Sequence, residues 1–335
     1  MIDRSKRVLV VGGAGYLGSV LSARLFDAGY EVTIFDRLTF GREPIADLMA
    51  RGCRLIHADL QDAERVARAV SQHDAVILLA GLVGEKACAQ DPERTVAINL
   101  LGCAVVLEAC RYYRTLRFIF ASTDSCYGIQ TGIITESNPL APISLYAETK
   151  KVMEQRILTA WNEDRAAPAG GEGPQGFGPV ILRMGTLYGF SPRMRFDLVV
   201  NLLTWKASAE NVISIYGGEQ WRPFVHVADA AEAYVLALEA PPERVLGEVF
   251  NVGTNNQNIQ IRDLGRLVAE EFPGVETRHV DQPPDLRDYY VDCSKIDRVL
   301  GWRARRTLRD GVREIREAIL SGRFGTVLDP IYQNA

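Results

Sequence analysis

Residues 7–36 read RVLVVGGAGYLGSVLSARLFDAGYEVTIFD, and this stretch decides the fold. The apolar run Arg7–Val11 predicts a strand buried on both faces. Gly12, Gly15 and Gly18 follow with G-x-x-G-x-x-G spacing. Glycine permits the tight turn, lets a backbone approach a pyrophosphate, and lets the next helix pack closely on the strand. A helix is predicted over Tyr16–Ala28, its N-terminal N–H groups facing the phosphates. Gly12, Gly15, Tyr16, Leu17 and Gly18 are therefore the expected dinucleotide contacts. The second strand, Glu31–Phe35, leads into Asp36, 18 residues after Gly18. A carboxylate there accepts hydrogen bonds from ribose hydroxyls and repels a 2′-phosphate, which favours NAD over NADP. Arg37 beside it weakens that preference. At the end of the third strand, Asp59 and Leu60 can line the adenine site; a solvated loop aspartate is the other reading of Asp59.

Further strands are predicted at Arg54–His57, Ala75–Leu79, Arg117–Ala121 and Val180–Met184. Helices are predicted at Ala63–Val70, Thr95–Arg111 and Tyr146–Trp161. Alternating β and α elements imply an α/β fold, a doubly wound parallel sheet of Rossmann type. The dinucleotide-binding domain is expected over residues 1–184. Its segment 162–179, NEDRAAPAGGEGPQGFGP, reads as a flexible surface loop. Residues 185–335 read mainly as a smaller mixed α/β substrate-binding domain, with some segments returning to the sheet. Helices are expected there at Phe196–Ala209, Ala228–Glu239, Ile261–Glu271 and Leu308–Leu320.

The chain has 335 residues, 47% hydrophobic and 24% charged, with a net charge of −4. This balance excludes a disordered chain or a fibre and gives no sign of nucleic acid as partner. No stretch reads as the ~18 apolar residues of a membrane span. The glycines interrupt the apolar start, so it reads as strand and turn rather than a secretory leader. Six scattered cysteines and four histidines match no metal pattern. Buried free thiols suit a reducing cytoplasm.

Tyr146 and Lys150, in YAETK, lie four apart and share a helix face. An ammonium near a phenol lowers its pKa, so the tyrosine can act as acid or base near neutrality. Lys150 can also reach the nicotinamide ribose. Alone, a Y-x-x-x-K is commonly an exposed pair. Here it follows the polar strand end FIFASTDSCYG, where Ser122 and Thr123 can hold a substrate oxygen at the sheet's carboxyl edge.

Together these motifs resemble the extended short-chain dehydrogenase/reductase family, in its NAD-dependent nucleoside-diphosphate-sugar epimerase/dehydratase branch. The resemblance implies cofactor contacts at Ala80, Gly81 and Asn99, with Leu82 beside the substrate. It implies a catalytic Thr123, Tyr146 and Lys150, and Asp124 where dehydratases carry an acid. Arg222, in RPFVHVAD, and Arg287, in DLRDYYVD, resemble arginines that hold the substrate diphosphate, and Asp229 a helix-start aspartate. Three positions depart from the pattern. Ser125 stands where dehydratases have a glutamate, Thr186 where UDP-galactose-type epimerases have a substrate-holding asparagine, and Gln282 where many relatives have arginine. The implied activity is NAD-dependent C4 epimerisation of a nucleoside-diphosphate sugar. The alternatives are a dehydratase, decarboxylase or 4-ketosugar reductase, or a non-catalytic NAD sensor. The resemblance also implies a homodimer paired through the helices near 95–111 and 146–161. Arg193 and Arg195 read equally as substrate-loop residues or as surface charge.

Overall fold

Alternation along the first strand sets the architecture: Val8 and Val10 face one core and Leu9 and Val11 the other. The computed structural model describes residues 7–166, 176–280, 288–324 and 330–334. Its strands in chain order are β1 (Arg7–Val11), β2 (Glu31–Asp36), β3 (Arg54–His57), β4 (Ala75–Leu78), β5 (Arg117–Thr123), β6 (Ile129–Ile134) and β7 (Pro179–Met184). There follow β8 (Thr186–Tyr188), β9 (Val212–Tyr216), β10 (Trp221–His226), β11 (Glu248–Val252), β12 (Asn258–Gln260), β13 (Glu276–Val280) and β14 (Asp288–Val291).

Seven strands form one parallel sheet in the order β11-β7-β5-β4-β1-β2-β3. The helices Tyr16–Asp27 and Val227–Glu239 cover one face. Those at Ala63–Ser71, Cys103–Tyr112 and Leu145–Ala166 cover the other. Each fully buried Val, Leu or Ile contributes roughly 1.5–3 kcal/mol, so two such layers account for much of the fold's stability. The order of strands, not their direction, switches at β1: β2 and β3 are added on one side and β4, β5 and β7 on the other, which opens a crevice at the carboxyl ends of β1 and β4. A third core, including Tyr188, Val200, Phe224, Leu264 and Val312, lies among the later elements.

The structure moves several expected boundaries. The helix expected to stop at Trp161 runs to Ala166, and β7 opens at Pro179. Residues 167–175 of the expected loop lie outside the described residues. The helix expected at Phe196 begins at Val199, and the residues before it instead put Arg193, Arg195, Asp197 and Leu198 on the crevice wall.

The helix expected at Thr95–Arg111 is composite: Pro92–Val96, a π-helical stretch Ala97–Gly102, then Cys103–Tyr112. By length and composition, Pro92–Tyr112 is apolar enough to cross a membrane, which corrects the expectation from composition. Scattered charged residues and Asn99 break the apolar run in the sequence but leave a helical window apolar. Its Cys103, Val106, Leu107 and Cys110 lie in the core against the sheet.

Beneath the crevice, Arg183 of β7 makes a buried two-pronged ion pair with Glu154, at 2.7 and 3.0 Å. Arg183 also donates to the Tyr127 hydroxyl at 2.8 Å, which donates to Asn251 at 2.6 Å. Removing one partner of a buried pair strands the other charge. Glu154→Ala should therefore lower the unfolding free energy in urea by about 3–5 kcal/mol, and Glu154→Leu with Arg183→Met should recover most of that loss. A cost below about 1 kcal/mol for the single variant contradicts the reading.

Candidate active site

The crevice widens into a cavity of about 750 Å³ that runs from Asp36 and Phe40 at one end to Arg222 and Tyr289 at the other. At the first end the glycines are required by space. Gly12 has φ +87°, and a Cβ there would sit 2.6 Å from the Ala80 amide nitrogen. A Cβ on Gly18 would sit 2.1 Å from the Gly12 carbonyl oxygen. A Cβ on Gly15, at the helix N-cap, would meet only the Gly12 oxygen at 3.3 Å, so its cavity side is clear. That cradle fits a dinucleotide pyrophosphate.

Asp36 is fixed by two backbone donors, Ala14 N at 2.9 Å and Leu38 N at 2.7 Å. Burial pushes its carboxyl above the usual value, against the pull of those amides. Asp59 sits 3.3 Å from Arg37 Nη1, and both line the cavity with Leu60, Leu17, Ala80, Gly81 and Leu82. Tyr16 also lines it, but its hydroxyl is spent on structure. It donates to Gly189 O at 2.6 Å and accepts from Asn201 at 3.2 Å.

Asn99 corrects an expectation. It does not line the cavity. Its side-chain oxygen accepts from Leu82 N at 2.7 Å, and its amide donates to Leu82 O at 2.9 Å and to Thr149 at 3.3 Å. Asn99 thus shapes the loop after β4, whose Leu82 lines the cavity.

In the middle of the cavity, the helix Leu145–Ala166 starts where Ser144 Oγ accepts from Ala147 N at 3.2 Å. This places Tyr146 and Lys150 on the wall beside Thr123. Lys150 Nζ donates to Ala121 O at 2.8 Å and lies 4.8 Å from the Phe120 ring centroid. Burial lowers the Lys150 pKa. Burial also pushes the Tyr146 phenol well above its ordinary value; Glu85 on the same wall adds to this and Arg195 opposes it. Lys150 donates to a carbonyl, and desolvation holds the phenol protonated; a cationic nicotinamide bound in the cavity would favour the phenolate that a base needs.

Thr123 Oγ1 donates to Asp124 at 3.4 Å and accepts from Ser125 N at 3.2 Å. Asp124 also accepts from the Tyr289 hydroxyl at 3.3 Å. Ser122 reaches the lining, but its hydroxyl donates to Glu154, so it belongs to the buried network rather than to a substrate oxygen. Thr186 and Ser125 line the cavity. Arg222 donates to Trp221 O at 2.7 Å, and its guanidinium lies 5.2 Å from the Tyr289 ring centroid. Asp229 does not line the cavity; it pairs with Arg306 at 2.7 Å. Arg287 and Gln282 lie outside the described residues.

Some lining residues carried no signal in the sequence: Phe40, Glu85, Tyr289, Gln333 and Asn334. Arg193 is buried, which removes the reading as surface charge. Arg195 pairs with Asp197 at 2.5 and 3.0 Å. All six cysteines are buried free thiols; burial pushes Cys103 up to about 11 and Cys110 up to about 12. Among the described residues, no cluster of three His, Cys, Asp or Glu could hold a metal ion.

Known proteins bear directly on this geometry. The sequence model of the NAD dependent epimerase/dehydratase family matches residues 8–253. UDP-glucose 4-epimerase of Bacillus subtilis (strain 168) is 29% identical over 332 residues, covering 90% of this chain and 94% of its own. dTDP-glucose 4,6-dehydratase 1 of Escherichia coli (strain K12) is 30% identical over 355 residues, covering 94% and 93%. The structure of Thermus thermophilus UDP-glucose 4-epimerase in complex with NAD superposes with a TM-score of 0.78 at 29% identity, covering 93% of this chain and 99% of that one. A cradle fitted to a dinucleotide, a tyrosine–lysine wall and these similarities agree: the chain belongs to the NAD dependent epimerase/dehydratase family, and NAD is its cofactor.

Proposed function

We propose that the protein epimerises a nucleoside-diphosphate sugar at C4 through a transient 4-keto sugar. One observation carries this reading: Thr123, Tyr146 and Lys150 share a cavity with the dinucleotide cradle, while Ser125 supplies no carboxylate where dehydratases need one. Bound NAD supplies the hydride chemistry. Tyr146 takes the proton from the C4 hydroxyl and later returns it. Thr123 holds the reacting oxygen. Lys150 fixes the helix that carries the tyrosine and would hold the nicotinamide ribose when NAD is bound. Arg222 holds the substrate diphosphate through its guanidinium.

The test is a panel of UDP-, dTDP-, GDP- and CDP-sugars followed by NMR. A C4 epimer with no net NADH is expected, and only dehydrated or decarboxylated products contradict the reading. Tyr146→Phe should cut the rate by about 10²–10⁴ while NADH binding stays intact. Retained turnover argues against the proton transfer.

Asp36 supports NAD over NADP, since its carboxylate would face a 2′-phosphate. NADH should bind at least about tenfold more tightly than NADPH, and Asp36→Ser should narrow that gap in a fluorescence titration. Equal affinities in the unaltered protein contradict this.

We also propose a homodimer built on the Pro92–Tyr112 and Leu145–Ala166 helices. The first leaves Leu101 59% and Tyr112 80% exposed, which a partner's helices would cover. Light scattering should give twice the chain mass; a monomer overturns the proposal. Six buried thiols support a cytoplasmic location.

A further inference from the structure

The first turn of the helix Tyr16–Asp27 carries a passenger from the second half of the chain. Tyr16 OH donates to Gly189 O at 2.6 Å, and Ser191 Oγ donates to Tyr16 O at 2.7 Å. The hydroxyls of Ser19 and Ser191 lie 3.1 Å apart. These bonds fasten Gly189–Ser191 to the helix whose N-terminus faces the phosphates, and two residues later comes Arg193.

Arg193 lines the cavity yet is only 3% exposed. Its guanidinium carbon lies 3.6 Å from the ring centroid of Phe40, in the loop that follows Asp36. Nη2 donates to Asn334 Oδ1 at 2.6 Å and to Gln333 O at 3.3 Å. Asn334 in turn donates to Val83 O at 3.2 Å, in the loop after β4. Nε and Nη1 are buried and have no hydrogen-bond partner. The nearby carboxylate, Asp197, is already taken by both prongs of Arg195.

A buried cation without an anion is costly, and burial pushes this arginine down only to about 10, so it stays charged at neutral pH. The two free donors sit on different edges of the planar guanidinium, since Nη2 stands between them and is taken, so they suit an anion with several separated oxygens, such as a diphosphate, rather than a single carboxylate. Nucleoside diphosphates enter this cavity from two sources, cofactor and substrate. Phe40 and the Tyr16 turn lie at the Asp36 end, whereas Arg222 lies at the other.

We propose that Arg193 binds the diphosphate bridge of the dinucleotide cofactor, opposite the glycine turn. Phe40 and Asn334 are its positioning residues. The cofactor is thereby gripped from both halves of the chain.

The test uses the full chain with the Arg193→Met and Arg193→Lys variants. Affinities are measured for NADH, ADP-ribose, UDP and adenosine, and melting is measured without added nucleotide. In Arg193→Met, NADH and ADP-ribose should weaken at least tenfold, UDP and adenosine should stay within twofold, and the melting temperature should not fall. Arg193→Lys keeps the charge but loses the separately directed donors and the stacking on Phe40, so NADH and ADP-ribose should weaken at least threefold. That arm carries the test alone if the methionine variant does not fold. NADH and ADP-ribose within twofold of the unaltered protein overturn the proposal. So does an equal loss for all four ligands with a lowered melting temperature, which marks a merely structural role. Weakened UDP with unchanged ADP-ribose also overturns it and moves the arginine to the substrate.

Discussion

A lysine ammonium sealed against a backbone carbonyl, Lys150 on Ala121 at 2.8 Å, is the contact on which the site depends. Desolvating the ammonium opposes the fold, and a short charge-assisted bond offsets it. The bond pins the helix Leu145–Ala166 to the carboxyl end of β5. Tyr146, one turn earlier on the helix, and Thr123, two residues further along the strand, then face one cavity. A Cβ on Gly81 would lie 3.7 Å from Lys150 Nζ and 3.1 Å from Asn99 Oδ1. The loop after β4 is therefore packed on the same lysine, and the cofactor wall and the tyrosine wall share one support.

The two halves of the chain are joined by hydrogen bonds at the phosphate-facing helix and by β11, which adds to the edge of the main sheet beside β7. The helix Val227–Glu239 packs in the same core layer as Tyr16–Asp27. Ligand groups bound at either end of the cavity thus meet side chains from both halves.

What could be read from the sequence was what short-range geometry dictates. The glycine spacing of residues 12–18, with Asp36 at the end of the next strand, points to a dinucleotide turn, and the Tyr146–Lys150 interval fixes a shared helix face. Apolar runs such as AVIL and PVILRM announce strands covered on both sides. What could not be read depends on partners distant in the chain. Ser122 looked available until Glu154, 32 residues on, took its hydroxyl. Asn99 looked like a ligand contact until the Leu82 peptide, 17 residues back, claimed both ends of its amide. Arg193 could be read as surface charge because nothing local announces that Asn334, 141 residues later, closes over it. The same holds for the phenol: spacing gives the lysine's nearness, and only the folded surroundings give the desolvation that both groups carry.

If C4 is oxidised and reduced again within one closed cavity, the hydrogen removed from that carbon must be the one returned. The most direct measurement is turnover of a nucleotide sugar deuterated at C4, in ordinary water, with the product read by NMR and mass spectrometry. The expected product is a C4 epimer that retains the deuterium at C4, with no solvent hydrogen at C5. Loss of the label from C4, or solvent hydrogen entering at C5, contradicts it.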